Sequence, residues 1–353
     1  MTLSDQEACA LIDSKDLTGY ANDLQKKIKY TASVLDGMTV YQPSVAKNSV
    51  GVVALNAKSA LSMWSNPFAY PFFPMISDDE IMRLAKMTGA TVEEIKQIVV
   101  GYIPQNVSNE TVICVMSYLA EKNTISNKTI KKHSKENLNQ IAKVYSCGNY
   151  IENQMFWEDV KYGNKDMAYS GCEIIAVVNA LHSMGKDLNN EEVAALISKF
   201  EADGAMLNGT WGTCPNKLAD YLVEDAGYNV KCTSSTDYNE IEEVGKNSDT
   251  IIVTLYNDDN DILAQIHTIN IEKQTDANGN VVYIGHNTAY YDDINGDNDG
   301  VPDNNEMIPS KKYSSLEDAI KDASHGNNSA PIMVMGISAP CQGDFPESET
   351  KAC

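Results

Sequence analysis

The sequence is short of positive charge: 27 Lys and Arg face 49 Asp and Glu, for a net charge of -22. Nucleic acid and anionic lipid both select for basic surfaces, so neither is expected as a partner. No apolar run approaches the ~20 residues that a bilayer span requires, so no membrane span is expected either. The eight cysteines form no Cys-x-x-Cys and have no histidine at zinc-ligand spacing. That excludes a zinc ribbon and a disulfide framework, and leaves most of them as buried thiols. Cys341 and Cys353, in the polar tail 341–353, are the pair that an oxidising compartment could join. At the N-terminus Asp5 and Glu7 stand where a secretion signal carries positive charge, and no apolar stretch follows. The expectation is a cytoplasmic protein, or one exported without a standard signal.

What remains is the composition of a folded globular protein, 43% hydrophobic and 22% charged over 353 residues, long enough for two domains or one enlarged one. The N-terminal third reads as helical. Leu17, Tyr20, Leu24 and Ile28 recur at helical spacing, and Ser77-Asp78-Asp79-Glu80 is an N-cap with an acidic first turn, for a helix stopping at Gly89. Thr91-Val92-Glu93-Glu94 repeats that signal, and Glu110 to Glu121 is apolar on most faces, as a helix in a bundle would be. Residues 122–135 are polar and locally basic with no apolar stripe, which reads as a linker. The expected division is therefore a helical domain over 1–135 and a second domain over 136–340. Within the latter a helix near Ser134 to Tyr145 comes first, and then a single strong helix is followed by β-type runs at 229–232, 250–256, 266–272, 281–285 and 331–337. Asp276-Ala277-Asn278-Gly279-Asn280 is a hairpin turn between two of them.

The chemistry centres on Cys172. It immediately precedes the apolar run Glu173-Ile174-Ile175-Ala176-Val177-Val178, so it opens a helix whose dipole and unpaired amides favour a thiolate. Gly171 before it would let a substrate backbone come close. A nucleophilic thiol needs a base, and His267 begins the strand-like Ile266-His267-Thr268-Ile269-Asn270-Ile271. Asn287 ends the run paired with it across the hairpin, where its side chain could orient the imidazole. His286, one residue away, would face the opposite side of that strand. His133, His182 and His325 read as structural or solvated.

Tyr162-Gly163, Ser170-Gly171-Cys172-Glu173-Ile174-Ile175-Ala176, Gly212-Thr213-Cys214-Pro215 leading to Leu218 and Gly227-Tyr228, His267-Thr268-Ile269 and Asn287 together carry a likeness. They resemble the papain-like cysteine peptidase superfamily, in particular its bacteriocin-processing (double-glycine) peptidase-like branch, over roughly residues 150–340. The resemblance implies an α+β fold, a papain-like domain whose Cys-bearing central helix packs on an antiparallel sheet, preceded by an all-α domain. It also implies a cysteine peptidase acting on a peptide or protein substrate, with Cys172 as nucleophile, His267 as general base and acid, and Asn287 as the orienting residue. The family's oxyanion-hole Gln shortly before the Cys is missing, the stretch here being Asn164-Lys165-Asp166-Met167. Asn164 and the more distant Gln154 are the candidate donors, and loss of such a donor costs ~10²–10³ in rate. Two alternatives stay open: a catalytically silent, calcium-stabilised binding protein on the same fold, and an acyltransferase or amidase using the same triad.

A second motif is independent of the first. Residues 295–306 follow the spacing of an EF-hand-type calcium loop, with Asn295, Asp297, Asp299, Asp303 and Glu306 as oxygen ligands, the Val301 carbonyl at the seventh position and Gly300 at the sixth. Asp293 is a possible extra ligand, so the insertion spans 293–306. Asn at the first position and Pro302 depart from the EF-hand, and Asp-x-Asp-Gly-Val-Pro-Asp looks more like the loops of thrombospondin type 3 repeats. Calcium is the expected ion, in a structural role, and no organic cofactor is expected.

Overall fold

The computed structural model describes residues 76–99, 107–256, 266–288, 312–324 and 331–340. The expectations for residues 1–75, for the calcium loop at 293–306, for His325 and for the tail with Cys341 and Cys353 fall outside these.

In chain order, α1 (Asp78–Thr88), α2 (Val92–Val99), α3 (Asn109–Glu121) and α4 (Asn127–Val144) lead to a 3-10 turn at Gln154–Trp157. The hairpin β1 (Lys161–Tyr162) and β2 (Lys165–Asp166) follows, then the single turn α5 (Met167–Ser170), α6 (Cys172–Ser183), α7 (Asn190–Ala202) and α8 (Pro215–Asp220). The remainder is β3 (Asn229–Thr233), α9 (Tyr238–Lys246), β4 (Thr250–Tyr256), β5 (Ile266–Thr275), β6 (Val281–His286), β7 (Lys312–Tyr313), α10 (Leu316–Ala323) and β8 (Pro331–Ser338).

The capping signals do what their chemistry allows. Ser77 and Glu80 close a reciprocal capping box at α1, which ends at Gly89 with φ 78°, a left-handed conformation that glycine adopts without strain. Thr91 and Glu94 make the same exchange before α2: the Glu94 N–H donates to Thr91 Oγ1 at 3.2 Å, and the Thr91 N–H to Glu94 Oε2 at 2.7 Å.

Six strands form one antiparallel sheet in the order β3-β8-β4-β5-β6-β7. The fold is therefore α+β. The expected hairpin joins β5 to β6 with Thr275 opposite Val281 and Gly279 at φ 85°. β4 is buried along its whole length. Its period-two alternation sends Ile252 to one face, into a core with Ile174, Ile175 and Val178 of α6. Ile251, Val253 and Leu255 go to the other face, against Ile241 and Val244 of α9 and Leu316 and Ile320 of α10.

Two expectations are corrected. The region after 136 is not one strong helix followed by strands: α7 and α8 follow α6 before the sheet begins, and α9 and α10 interleave with its strands, because both faces of the sheet need covering. Nor is 122–135 a linker, since α4 runs straight through the expected boundary at 135/136. The helix expected near Ser134 to Tyr145 is the second half of α4, and the polar first half continues it because polar groups help to hold it in place. Asn137, fully buried, donates through Nδ2 to Lys161 O at 2.8 Å and accepts the Lys161 N–H at 2.7 Å. His133 Nδ1 lies 2.6 Å from Glu201 of α7, whose Oε1 also accepts the Gly163 N–H. The helices α1 to α3 share their core with Met206, Leu207, Tyr256 and Ile332. Within the described residues the helical region is thus packed onto the sheet-bearing one.

Candidate active site

The site lies where the start of α6 meets the start of β5. Residues Cys172 to Leu181 of α6 are all buried, so this helix is a central one rather than a surface amphipath. Two side chains on it tie down its surroundings. Asn179 exchanges both amide hydrogen bonds with the backbone of Ile151, donating to its carbonyl at 2.9 Å and accepting its N–H at 2.8 Å, which fixes the stretch of chain leading to Gln154. Ser183 donates to Asn270 Oδ1 at 3.2 Å, pinning the far end of α6 to β5.

Cys172 is buried, and the Thr268 N–H of β5 faces its sulfur. Burial first, and then the charge of Glu173, push the thiol well above its usual pKa, against the pull of that N–H. This differs from the expectation of a helix-stabilised thiolate. The helix dipole is present, but a desolvated sulfur beside a carboxyl loses more than the dipole returns, so the resting group is the thiol. Gly171 is also explained differently: a Cβ there would lie 2.5 Å from Met167 O and 2.6 Å from Met167 Cε. It is glycine because its own chain comes close, before any substrate does.

His267, the residue before Thr268, is buried, and its Nε2 lies 2.6 Å from the main-chain oxygen of Asn287. A carbonyl can only accept, so Nε2 carries the proton and Nδ1 is the basic nitrogen. Asn287 thus reaches the imidazole as expected, but through its backbone. Its side chain is engaged elsewhere: Nδ2 donates to Gln154 Oε1 at 2.9 Å, and Oδ1 accepts the Gln154 N–H at 3.0 Å. Asn287 takes φ 57°, which turns its carbonyl out of the β6 ladder and toward β5. Asn is among the few residues that tolerate this conformation.

The two oxyanion candidates separate. Asn164 is exposed in the β1–β2 turn, where its N–H donates to Asn208 O at 2.8 Å. Gln154 sits within the circuit that joins the two halves of the site. Its Nε2 donates to Ala168 O at 2.7 Å, four residues before Cys172, while its Oε1 holds Asn287. One N–H of that amide is thereby committed to Ala168, and a primary amide has two. Beside it Met155, Phe156 and Tyr169 are large side chains left about half exposed, at 51%, 56% and 42%.

His286 is placed apart from this chemistry. It is stacked on Tyr150, with ring centroids 3.6 Å apart, between Glu152 at 2.8 Å and Glu272 at 3.3 Å. Burial pulls its pKa down, but the bonds to the two carboxylates outweigh that and raise it. His182 pairs with Asp187 and His133 with Glu201, both structural partnerships.

Sequence reasoning missed three members of the site. The Thr268 N–H and the Asn287 carbonyl are backbone groups, which leave no signal in residue identity. Glu173 did leave one: it is a carboxylic acid in a run of residues every one of which is buried, yet it reads as an ordinary acidic first-turn residue. No set of three or more His, Cys, Asp or Glu among the described residues is arranged to hold a metal ion, and residues 295–306 lie outside them. No helix among the described residues is long and apolar enough to cross a membrane. Comparison with protein-family models, with curated proteins and with solved structures gave no match.

Proposed function

We propose that this protein is a papain-like cysteine peptidase that cleaves a peptide or protein substrate through an acyl-thioester on Cys172. The observation that carries the reading is the approach of the Thr268 N–H of β5 to the sulfur of Cys172 at a helix start, with His267 the residue before Thr268 and its imidazole proton held by the Asn287 carbonyl. In this mechanism Nδ1 of His267 takes the thiol proton as the sulfur attacks the scissile carbonyl, and returns it to the leaving amine. The negative oxygen is stabilised by the Cys172 N–H, which at the first helical position has no intrahelical acceptor, and by the second N–H of Gln154. Water then attacks the thioester. An acyltransferase or amidase would share every step up to that one, differing only in acceptor or substrate. The exposed apolar side chains of Met155, Phe156 and Tyr169 fit a substrate that presents a bulky apolar residue beside the scissile bond.

The competing reading is a silent papain-like scaffold used for binding, and the burial of Cys172 with its raised thiol favours it. Labelling the native full chain with peptidyl epoxides and mapping the modified cysteine separates the two. Selective labelling of Cys172 is expected, faster with an apolar than with an acidic side chain on the probe, and lost in His267→Ala. Labelling no faster than that of free cysteine would leave only the scaffold.

Calcium binding at Asn295, Asp297, Asp299, Val301, Asp303 and Glu306 belongs to the same proposal and rests on the ligand spacing. The loop begins eight residues after Asn287, so a bound ion would order the chain leaving the residue that holds His267. A calcium chelator is expected to lower the melting temperature and slow Cys172 labelling. An unchanged melting temperature with no calcium in the purified protein would count against it.

A further inference from the structure

Glu173 is a buried carboxyl, 4% exposed, to which the proposed mechanism gives no role. Its side chain lies beside the Cys172 thiol and takes the Thr213 N–H. The Oε2 atom has no hydrogen-bond partner, and no Lys, Arg or His among the described residues pairs with this carboxyl. The surrounding chain is shaped to it: Gly212, at φ 74°, is where a Cβ would come within 2.7 Å of Glu173 Oε1. Thr213 is held in turn by Tyr162, hydroxyl to hydroxyl at 2.6 Å. A neutral side chain would fill this space at far lower cost, since a buried carboxylate without a cation is among the least favourable groups a core can hold.

The titratable groups around it are few. Cys172 precedes it on α6, and His267 starts the strand behind that thiol. Tyr162 on β1 lies across Thr213, with Glu201 of α7 beyond it and Cys214 following Thr213 at the start of α8. None of the acids or phenols among them offers positive charge. While His267 is neutral, two negative charges, on Glu173 and on the Cys172 sulfur, would therefore share one desolvated helix N-terminus.

We propose that Glu173 governs the charge state of Cys172: ionised, it keeps the neighbouring thiol protonated, so the pair loses one proton readily and a second only with difficulty. The inference rests on the reading of Cys172 as the nucleophile. The first proton leaves to water, and the single remaining charge is shared between carboxylate and sulfur, with the other proton between them. Substrate binding that supplies a hydrogen-bond donor to the sulfur would shift that charge onto it, and a donor to Glu173 would hold the charge on the carboxylate. The carboxyl is pushed up to about 7, chiefly by burial, so the pair titrates where a small change of surroundings redistributes its proton.

Glu173→Gln in the full chain tests this. The ultraviolet thiolate absorbance of Cys172 is expected to titrate about one unit lower than in the wild type, and iodoacetamide to alkylate Cys172 roughly tenfold faster at pH 7, one pKa unit being tenfold. A wild-type thiolate midpoint in a folded Glu173→Gln protein would overturn the proposal, because a merely structural carboxyl would change the melting temperature and leave the thiol where it was. Should that variant not fold, carbon-13 NMR of the wild-type carboxyl decides. Glu173 is expected to titrate in two steps, the second coinciding with thiolate formation and abolished by capping Cys172 with a methylthio group. A single step, unchanged by capping, would overturn it. The His267 dependence of labelling tests the nucleophile reading separately, and its loss would leave the thiolate midpoint to decide the role of Glu173.

Discussion

Replacing Gln154 with alanine is expected to weaken binding of a peptide aldehyde at Cys172 by roughly 10²–10³, the usual cost of removing one oxyanion donor. An aldehyde forms a hemithioacetal with the thiol and so places an oxygen where the tetrahedral intermediate would carry its charge. Alkylation by iodoacetamide forms no such oxygen and needs no oxyanion hole. Gln154 also holds the Asn287 side chain, by a side-chain hydrogen bond that alanine loses and a backbone N–H bond that alanine keeps, and Asn287 holds His267. Alkylation is therefore expected to slow as well, but only several-fold, since the Asn287 backbone keeps its place in the chain. Parallel binding and alkylation measurements separate the two contributions. An aldehyde affinity within about threefold of wild type would remove Gln154 from the oxyanion hole, and an equal fall in both would make it a positioning residue alone.

Gly163→Ala is expected to cost on the order of 2–5 kcal/mol of stability, from left-handed strain of about 1–2 and forced backbone movement of about 1–3. Gly163 sits at φ 56°, and a Cβ there would lie 2.1 Å from Asn208 O and 2.8 Å from Asn208 C. Those are backbone atoms, which cannot turn aside as a side chain would. The Asn164 N–H bonds that same Asn208 oxygen, and the Gly163 N–H bonds Glu201, so the β1–β2 turn is locked on two sides. Gly185 supplies the control. It has φ 76° with nothing within 4 Å of its Cβ position, so Gly185→Ala should show the strain without the collision, about 1–2 kcal/mol. Urea unfolding of the three proteins measures the difference; equal losses in the two variants would show that the Asn208 contact carries no weight.

Much of this fold is legible in the sequence because its signals are local. Ser77 with Glu80, Thr91 with Glu94, the alternating runs of β4 and β5 and the Asp276–Asn280 turn each act through neighbours within a few residues, and each forms the element expected of it. Illegible features depend on partners far along the chain. The first half of helix α4 looks like a linker because it is polar, and the side chains that tie the helix down are Asn137 and His133. Their partners, Lys161 and Glu201, lie 24 and 68 residues away. Gln154 is a weak candidate by spacing because it stands 18 residues before Cys172, outside the short interval of the resembling family. The hydrogen bond from Gln154 to Ala168 closes that distance in space.

The sequence by itself determined that Cys172 opens a buried helix, that His267 lies at the start of a strand and that its hairpin partner runs up to Asn287, one residue past the last paired position, since apolar periodicity and turn chemistry decide all three. Only the tertiary structure decided how they act on one another. It is the Asn287 carbonyl, turned by a positive φ, that holds the His267 proton, and it is the Thr268 N–H that faces the Cys172 sulfur. It also decided that Cys172 rests as a thiol. A helix N-terminus favours a thiolate wherever it stands, but burial and a carboxyl alongside are properties of the packed molecule, and here they outweigh it.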